Sequence, residues 1–165
     1  MSEEPIEIIL LGQPRGKGRP RVAEAGHVYT PVSTRDYEAW LKFGAQEVMG
    51  DRPPLAGPLR VDLRIVVPIA RSWPKKRQEA ARAGTEFPTK KPDLDNIMKM
   101  LDALNLVAFV DDAQIVETKI EKIYGDKPGL WVTVTPIETG DKECLSQPTI
   151  SKPSAKPPKP SGVFS

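Results

Sequence analysis

Lys91-Pro-Asp-Leu-Asp-Asn-Ile-Met-Lys-Met-Leu-Asp-Ala-Leu-Asn105, with Phe109-Val-Asp-Asp-Ala-Gln-Ile-Val116 close behind, is the most informative stretch of this chain. Pro92 disfavours helix at Lys91, so Asp93 belongs to extended chain just ahead of a helix. Asn96 to Asn105 should form that helix, with Ile97, Leu101 and Leu104 as its buried stripe. Asp95 then occupies the cap or lies beside it. Asp95, Lys99 and Asp102 are spaced i, i+4, i+7 and share the opposite face. Asp93 and Asp95, one residue apart at this junction, can converge on one cation. A third carboxylate from Asp111–Asp112 would complete an octahedral oxygen site that keeps waters open for substrate.

Outward from this segment, the pattern alternates between strand and helix. Ile6 to Leu11 reads as a strand ending at Gly12 and Pro14, followed by a loop or loose hairpin to Pro31. Ser33 or Thr34 can cap a helix that buries Tyr37, Trp40, Leu41, Gly44, Ala45 and Val48 and ends near Gly50. Leu59 to Ile69 alternates as a long strand. Ser72 starts a second, largely polar helix over Lys75 to Ala83. After the central stretch, Ala113 to Tyr124 reads as a half-exposed strand and Leu130 to Thr135 as the last one. From about Gly140, Lys, Pro and Ser dominate, so residues 140–165 are expected to be a disordered tail. The fold expected for residues 1–139 is therefore a single α+β domain, a mixed β-sheet packed with helices.

Composition narrows the chemistry. Cys144 and His27 are the only cysteine and histidine among 165 residues, which excludes an internal disulfide, a zinc finger and an iron–sulfur site. A bound metal would take mainly oxygen ligands, pointing to Mg²⁺, with Mn²⁺ as a substitute, or to Ca²⁺. No stretch approaches a membrane span, and the acidic start lacks signal-peptide order. A cytoplasmic location and no membrane partner are the corresponding expectations. The net charge of +2 hides segregation. Arg15, Lys17, Arg19 and Arg21 form one basic group and the Arg71–Lys91 connector, with Lys75, Lys76 and Arg77, forms another. Acids flanked by such loops suit a metal site that works on a polyanion.

Ordinary structural roles compete at each position. Asp95 as a plain N-cap would contribute about 1 kcal/mol, and Lys99 as a surface partner of Asp95 or Asp102 a few tenths of that. Asp111–Asp112 is equally a turn signal, and an Asp-x-Asp pair alone is weak evidence. The combination is more specific: two carboxylates, a lysine one turn later, and a second acidic pair before a strand. If the strand already runs through position 112, alternation puts Asp112 on the side of Val116 and Ile120, the packed face. That favours Asp112 over Asp111 as the ligand, unless the chain bends at Ala113.

Taken together, Asp93-Leu-Asp95-Asn96, Lys99, Asp102-Ala-Leu and Asp111-Asp112-Ala-Gln114 resemble the core motif of the RusA-type Holliday junction resolvases. The amino-terminal segment Gly12-Gln-Pro-Arg-Gly-Lys17-Gly-Arg19-Pro20-Arg21, with Tyr29-Thr-Pro31 and Tyr37-Glu38, resembles theirs too. The likeness spans about Ile6 to Pro136. It implies a homodimeric, bacterial and often phage-borne α+β nuclease that nicks two opposing strands of a four-way DNA junction using Mg²⁺. By the same resemblance the catalytic carboxylates fall on Asp93, Asp95 and Asp112, the catalytic lysine falls on Lys99, and the basic loop at Lys17 to Arg21 contacts DNA. Two other classes remain: a DNA- or RNA-binding module whose carboxylates are structural, and a nucleotide-sugar transferase using Asp-x-Asp, for which the chain is short.

Overall fold

Strict alternation along β4 (Leu59–Pro68) sends Leu59, Val61, Leu63 and Ile65 to one face, all fully or almost fully buried, and Arg60, Asp62 and Arg64 to the other. The same division runs along β1 (Ile6–Leu11), which buries Ile6 and Ile8, and β6 (Gly129–Pro136), which buries Leu130, Val132 and Val134. These strands and β5 (Ile115–Gly125) form one sheet in the order β1-β6-β4-β5. β4 runs antiparallel to β6 and parallel to β5, so the sheet is mixed. A two-residue pair, β2 (Arg21–Val22) and β3 (Val28–Tyr29), stands apart from it. This computed structural model describes residues 4–19, 21–22, 28–29 and 31–138. The expected tail, the domain boundary at residue 139, His27 and Cys144 all lie outside the described residues.

β5 and β6 follow one another in sequence yet lie on either side of β4, so the link between them crosses the end of that strand. A Cβ on Gly125 would stand 2.6 Å from Val66 Cγ1, and one on Gly129 would stand 2.9 Å from the Leu10 carbonyl. Glycine at both ends of the link is what lets the chain pass so close.

α1 (Val32–Met49) covers the apolar face with Tyr37, Leu41, Ala45 and Met49, at i, i+4 spacing from Tyr37 onward. It begins earlier than its sequence suggests. Pro31 is the cap residue, and its carbonyl accepts from the N–H groups of Thr34 and Arg35. Thr34 faces inward and is buried rather than capping. Trp40, expected on the buried face, is 63 % exposed. It sits about 100° around the helix from Leu41, and the stripe defined by Tyr37, Leu41 and Ala45 leaves it outside.

The helix expected over Asn96–Asn105 is two segments: α3 (Leu94–Met98) and a 3₁₀ helix, Lys99–Leu104. Ile97, Leu101 and Leu104 are buried as expected, and Met100 joins them. Three-residue winding aligns Ile97 with Met100 and Leu101 with Leu104, so tightening the helix widens its apolar face. α2 (Lys75–Arg82) packs beside β5, where the Trp73 and Tyr124 rings meet edge to face at 5.1 Å. Among the described residues no helix is long and apolar enough to cross a membrane.

Candidate active site

The connector ahead of α3 is pinned to the sheet. The Lys122 ammonium, on β5, donates to the carbonyls of Lys90 (2.8 Å) and Pro92 (3.0 Å). Asp93 follows in extended geometry (φ −78°, ψ 143°) as the cap residue of α3, but its side chain makes no cap hydrogen bond. The carboxylate instead accepts from Asn96 Nδ2 at 3.3 Å and stays exposed. Asp95 lies in the first turn, two residues past the Asp93 cap rather than at the expected cap position, and is also exposed. Lys99 Nζ reaches Asp95 Oδ2 at 3.1 Å. That hydrogen bond holds the Asp95 carboxyl below its usual range.

Facing this acid pair is the loop Pro14–Arg19. Lys17, Arg19, Asp93, Asp95, Asn96 and Lys99 border a common open cavity of about 350 Å³. The loop also borders a larger cleft of about 710 Å³, which Arg15, Ser33, Lys91 and Asp93 help to line. Among the described residues the buried Tyr37 hydroxyl has no hydrogen-bond partner, and burial pushes its pKa up to about 12. It is therefore a neutral structural group. Among the described residues Lys17 is the one cation of this loop that makes an ion pair, with Asp102 (2.7 Å) and Glu38 (3.4 Å). The hydrogen bond to Asp102 holds its ammonium charged above the usual lysine range.

Asp111 and Asp112 have different surroundings. The chain bends where strand was expected: Asp112–Gln114 is a 3₁₀ turn and β5 begins only at Ile115. Asp111 caps that turn. Its Oδ1 accepts from the Ala113 N–H at 2.8 Å, and its own N–H donates to Gln114 Oε1 at 2.8 Å. Gln114 Nε2 then donates to the carbonyls of Leu55 (3.2 Å) and Gly57 (2.8 Å), bolting the turn to the start of β4. Asp112 keeps its carboxylate exposed, with a single long contact from Asn105 Nδ2 at 3.4 Å. The bend removes the strand-alternation argument for Asp112, and what distinguishes the two positions is that Asp111 is engaged as a cap whereas Asp112 is not. Val116, taken to mark the packed face, is 60 % exposed because the β4–β5 register steps from Leu59↔Ile115 to Arg60↔Glu117 and leaves it as the extra residue. Asp111→Ala should lower stability by about 1 kcal/mol in urea unfolding through loss of the cap. An unchanged midpoint would mean that the turn is held by Gln114 alone.

The structure brings Asp93, Asp95 and Lys99 together with Lys17 and Arg19. Asp112 does not join them within one chain: among the described residues no three carboxylate, His or Cys side chains are grouped closely enough to hold a metal. The second basic group is divided in its roles. Arg77 lies over the Trp73 ring at 3.6 Å and pairs with Glu86 at 2.6 Å, whereas Lys75 and Lys76 are exposed on α2 with no ion pair among the described residues. Arg21 falls in β2. Sequence reasoning missed the roles of Thr34, Glu38 and Gln114. Only Gln114 carried a usable signal, the Asp-x-x-Gln spacing of a capping box.

A family model described as Endodeoxyribonuclease RusA matches residues 12–135, a span that includes the basic loop, the acid pair, Lys99 and the Asp111–Gln114 turn. The chain belongs to the RusA endodeoxyribonuclease family. It is also similar to "Uncharacterized protein YqaN" of Bacillus subtilis (strain 168), with 31 % identity over 140 residues covering 80 % of this chain and 96 % of that protein. RusA-family membership implies a Holliday junction resolvase, and the family is typically Mg²⁺-dependent. The residues present suit such a cation in kind. Asp93 and Asp95 offer hard oxygen ligands at an open cavity, and among the described residues no soft ligand borders it.

Proposed function

We propose that this RusA-family chain is a Mg²⁺-dependent, structure-selective endodeoxyribonuclease that resolves four-way DNA junctions by paired nicks. The observation that carries the reading is the exposed Asp93–Asp95 pair, bordered by Lys99 and the Arg19 loop in one cavity. A protein that only binds DNA gains nothing from two exposed carboxylates where phosphates approach, because they repel the backbone.

In this reading Asp93 and Asp95 would hold the cation at their shared cavity, and Asp112, which stands apart from them in this chain, would have to approach on DNA or metal binding to become a third ligand. Mg²⁺ bound there supplies Lewis-acid polarisation of the phosphodiester and activation of the attacking water. Asn96 would orient the Asp93 carboxylate, and Lys99 would hold the Asp95 carboxylate in place through their hydrogen bond while offering its remaining donors to the phosphate. Arg15, Arg19, Arg21, Lys75 and Lys76 would contact the sugar–phosphate backbone, which fixes register on the DNA without reading sequence. Two opposed cuts call for two sites, and one chain supplies one, so a C₂ homodimer is the economical assembly.

The test compares a synthetic four-way junction with a matched linear duplex, in Mg²⁺ or in EDTA, alongside Asp95→Asn. Paired nicks confined to the junction, dependent on Mg²⁺ and absent in the variant, are the expected outcome. Binding without cutting in both Mg²⁺ and Mn²⁺ would leave a DNA-binding module with structural carboxylates. Replacing Arg19 and Arg21 together by Ala should weaken junction binding and reduce the log–log salt slope by up to about 2, since each neutralised phosphate accounts for roughly 0.9. Unchanged affinity would remove this loop from the DNA surface.

A further inference from the structure

The loop Pro14–Arg19 lies against two other elements more tightly than a mobile DNA-contacting arm would. The Lys17 N–H donates to the Asn96 carbonyl on α3 at 2.8 Å, and the Gly18 N–H donates to Thr34 Oγ1 on α1 at 3.3 Å. A Cβ on Gly16 would stand 2.8 Å from Asn96 Cβ, and one on Gly18 would stand 2.8 Å from Thr34 Oγ1. Each glycine is therefore required by close approach, one toward each helix. Between them the Lys17 side chain reaches Asp102 Oδ2 at 2.7 Å and Glu38 Oε1 at 3.4 Å. Asp102 lies on the 3₁₀ helix that continues α3, and Glu38 lies on α1. One ammonium thus joins the loop, α1 and the helix that carries the acid pair. Glu38 Oε1 is buried and has no hydrogen-bond partner, so Lys17 is its only compensating charge among the described residues.

These contacts leave Lys17 poorly suited to meet a phosphate. Two carboxylates already surround its ammonium, and the cluster Lys17–Asp102–Glu38 sums to a net negative charge. Arg19, two residues on, is exposed, makes no ion pair among the described residues, and borders the cavity that holds Asp93 and Asp95.

We propose that Lys17 and Asp102 are positioning residues: the Lys17 ammonium, clamped between Asp102 and Glu38, latches the basic loop onto the acid-bearing helix and so holds Arg19 at the edge of the Asp93–Asp95 cavity. The latch gives Asp102 a task that metal binding does not. Its consequence for DNA rests on the nuclease reading; the latch itself does not.

The test uses the full chain and four variants: Asp102→Asn, which is isosteric, Lys17→Met, Lys17→Arg, and Lys17→Met combined with Asp102→Asn. Thermal unfolding first establishes that each is folded. Tryptic cleavage after Arg15, a bond present in every variant, then reports the loop without reference to any activity. Asp102→Asn and Lys17→Met should accelerate that cleavage about fivefold or more through local opening, and Lys17→Arg should restore protection. Unchanged protection in Asp102→Asn overturns the latch, whether or not the protein cuts junctions.

Junction binding in EDTA supplies a test of sign. Removing a negative charge beside a DNA surface ordinarily tightens binding. With the latch, Asp102→Asn instead weakens binding by roughly threefold to tenfold, and the double variant is no weaker than Lys17→Met, because coupled residues are non-additive. In Mg²⁺ the half-saturating junction concentration rises by the same factor, while the saturated cutting rate stays unchanged. Tighter binding by Asp102→Asn, or additive losses with a salt slope that falls by about 1 for Lys17→Met alone, would make Lys17 a direct phosphate contact.

Discussion

Asp93→Asn and Asp95→Asn are each expected to reduce junction cutting by at least about a thousandfold while junction binding holds or tightens. Asparagine keeps the size of the side chain and can still accept a hydrogen bond, so the α3 junction should fold unchanged. Asp93 makes no side-chain cap bond to lose, and among the described residues its only side-chain hydrogen bond is the 3.3 Å contact from Asn96. Asp95 loses the charge that its 3.1 Å partner Lys99 stabilises, at a site so exposed that stability is hardly affected. What both variants lose is a negatively charged oxygen at the cavity. Binding by the basic loops moves the other way, since the repulsion between carboxylate and phosphate falls. Asp112→Asn should behave alike in cutting, whereas Asp111→Ala should lose stability and retain cutting. This crossed pattern separates a ligand from a cap at adjacent positions. The measurement pairs single-turnover cleavage of a labelled junction in Mg²⁺ with equilibrium binding in EDTA. Retained turnover in all three asparagine variants would sink the assignment of the site.

Elements whose sequence period is clean matched the structure. The β4 alternation of Leu59, Val61, Leu63 and Ile65 was readable because that strand buries one face and exposes the other. The buried residues Ile97, Leu101 and Leu104 were equally plain. Where the sequence misled, long-range contacts had decided the outcome. Trp40 is exposed because the packed stripe of α1 is set by where β1 and the 3₁₀ helix lie, and hydrophobicity alone does not encode that position. Val116 faces outward because one residue is extra in the register of β4 against β5, a property of the pair and not of either strand. The candidate site divides along the same line. Asp93, Asp95 and Lys99 are neighbours along the chain, so spacing was enough to group them. The engagement of Lys17 with Asp102, 85 residues away, is a tertiary fact, and charge counting had placed that lysine on the DNA surface instead.

Lys99→Ala is expected to slow junction cleavage by about 10² to 10³-fold while changing affinity less than about threefold, the signature of a group that acts when charge develops on the phosphate. The competing account makes Lys99 only the i,i+4 partner of Asp95, with both side chains more than half exposed (59 % and 66 %). Such a pair contributes a few tenths of a kcal/mol to stability, and its removal would leave the rate nearly untouched. Geometry favours the stronger role. An ammonium has three donors, and one is engaged at 3.1 Å to Asp95, which leaves two to serve a phosphate in the cavity that Lys99 borders with Asp93 and Arg19. Lys99→Arg discriminates further: it keeps the charge but spreads it over a planar fork, so it should preserve binding and recover only part of the rate. Single-turnover rates at saturating enzyme, set beside junction affinity in EDTA, read both quantities. If Lys99→Ala loses affinity and rate in equal measure, the residue holds DNA in the ground state and the transition-state role fails.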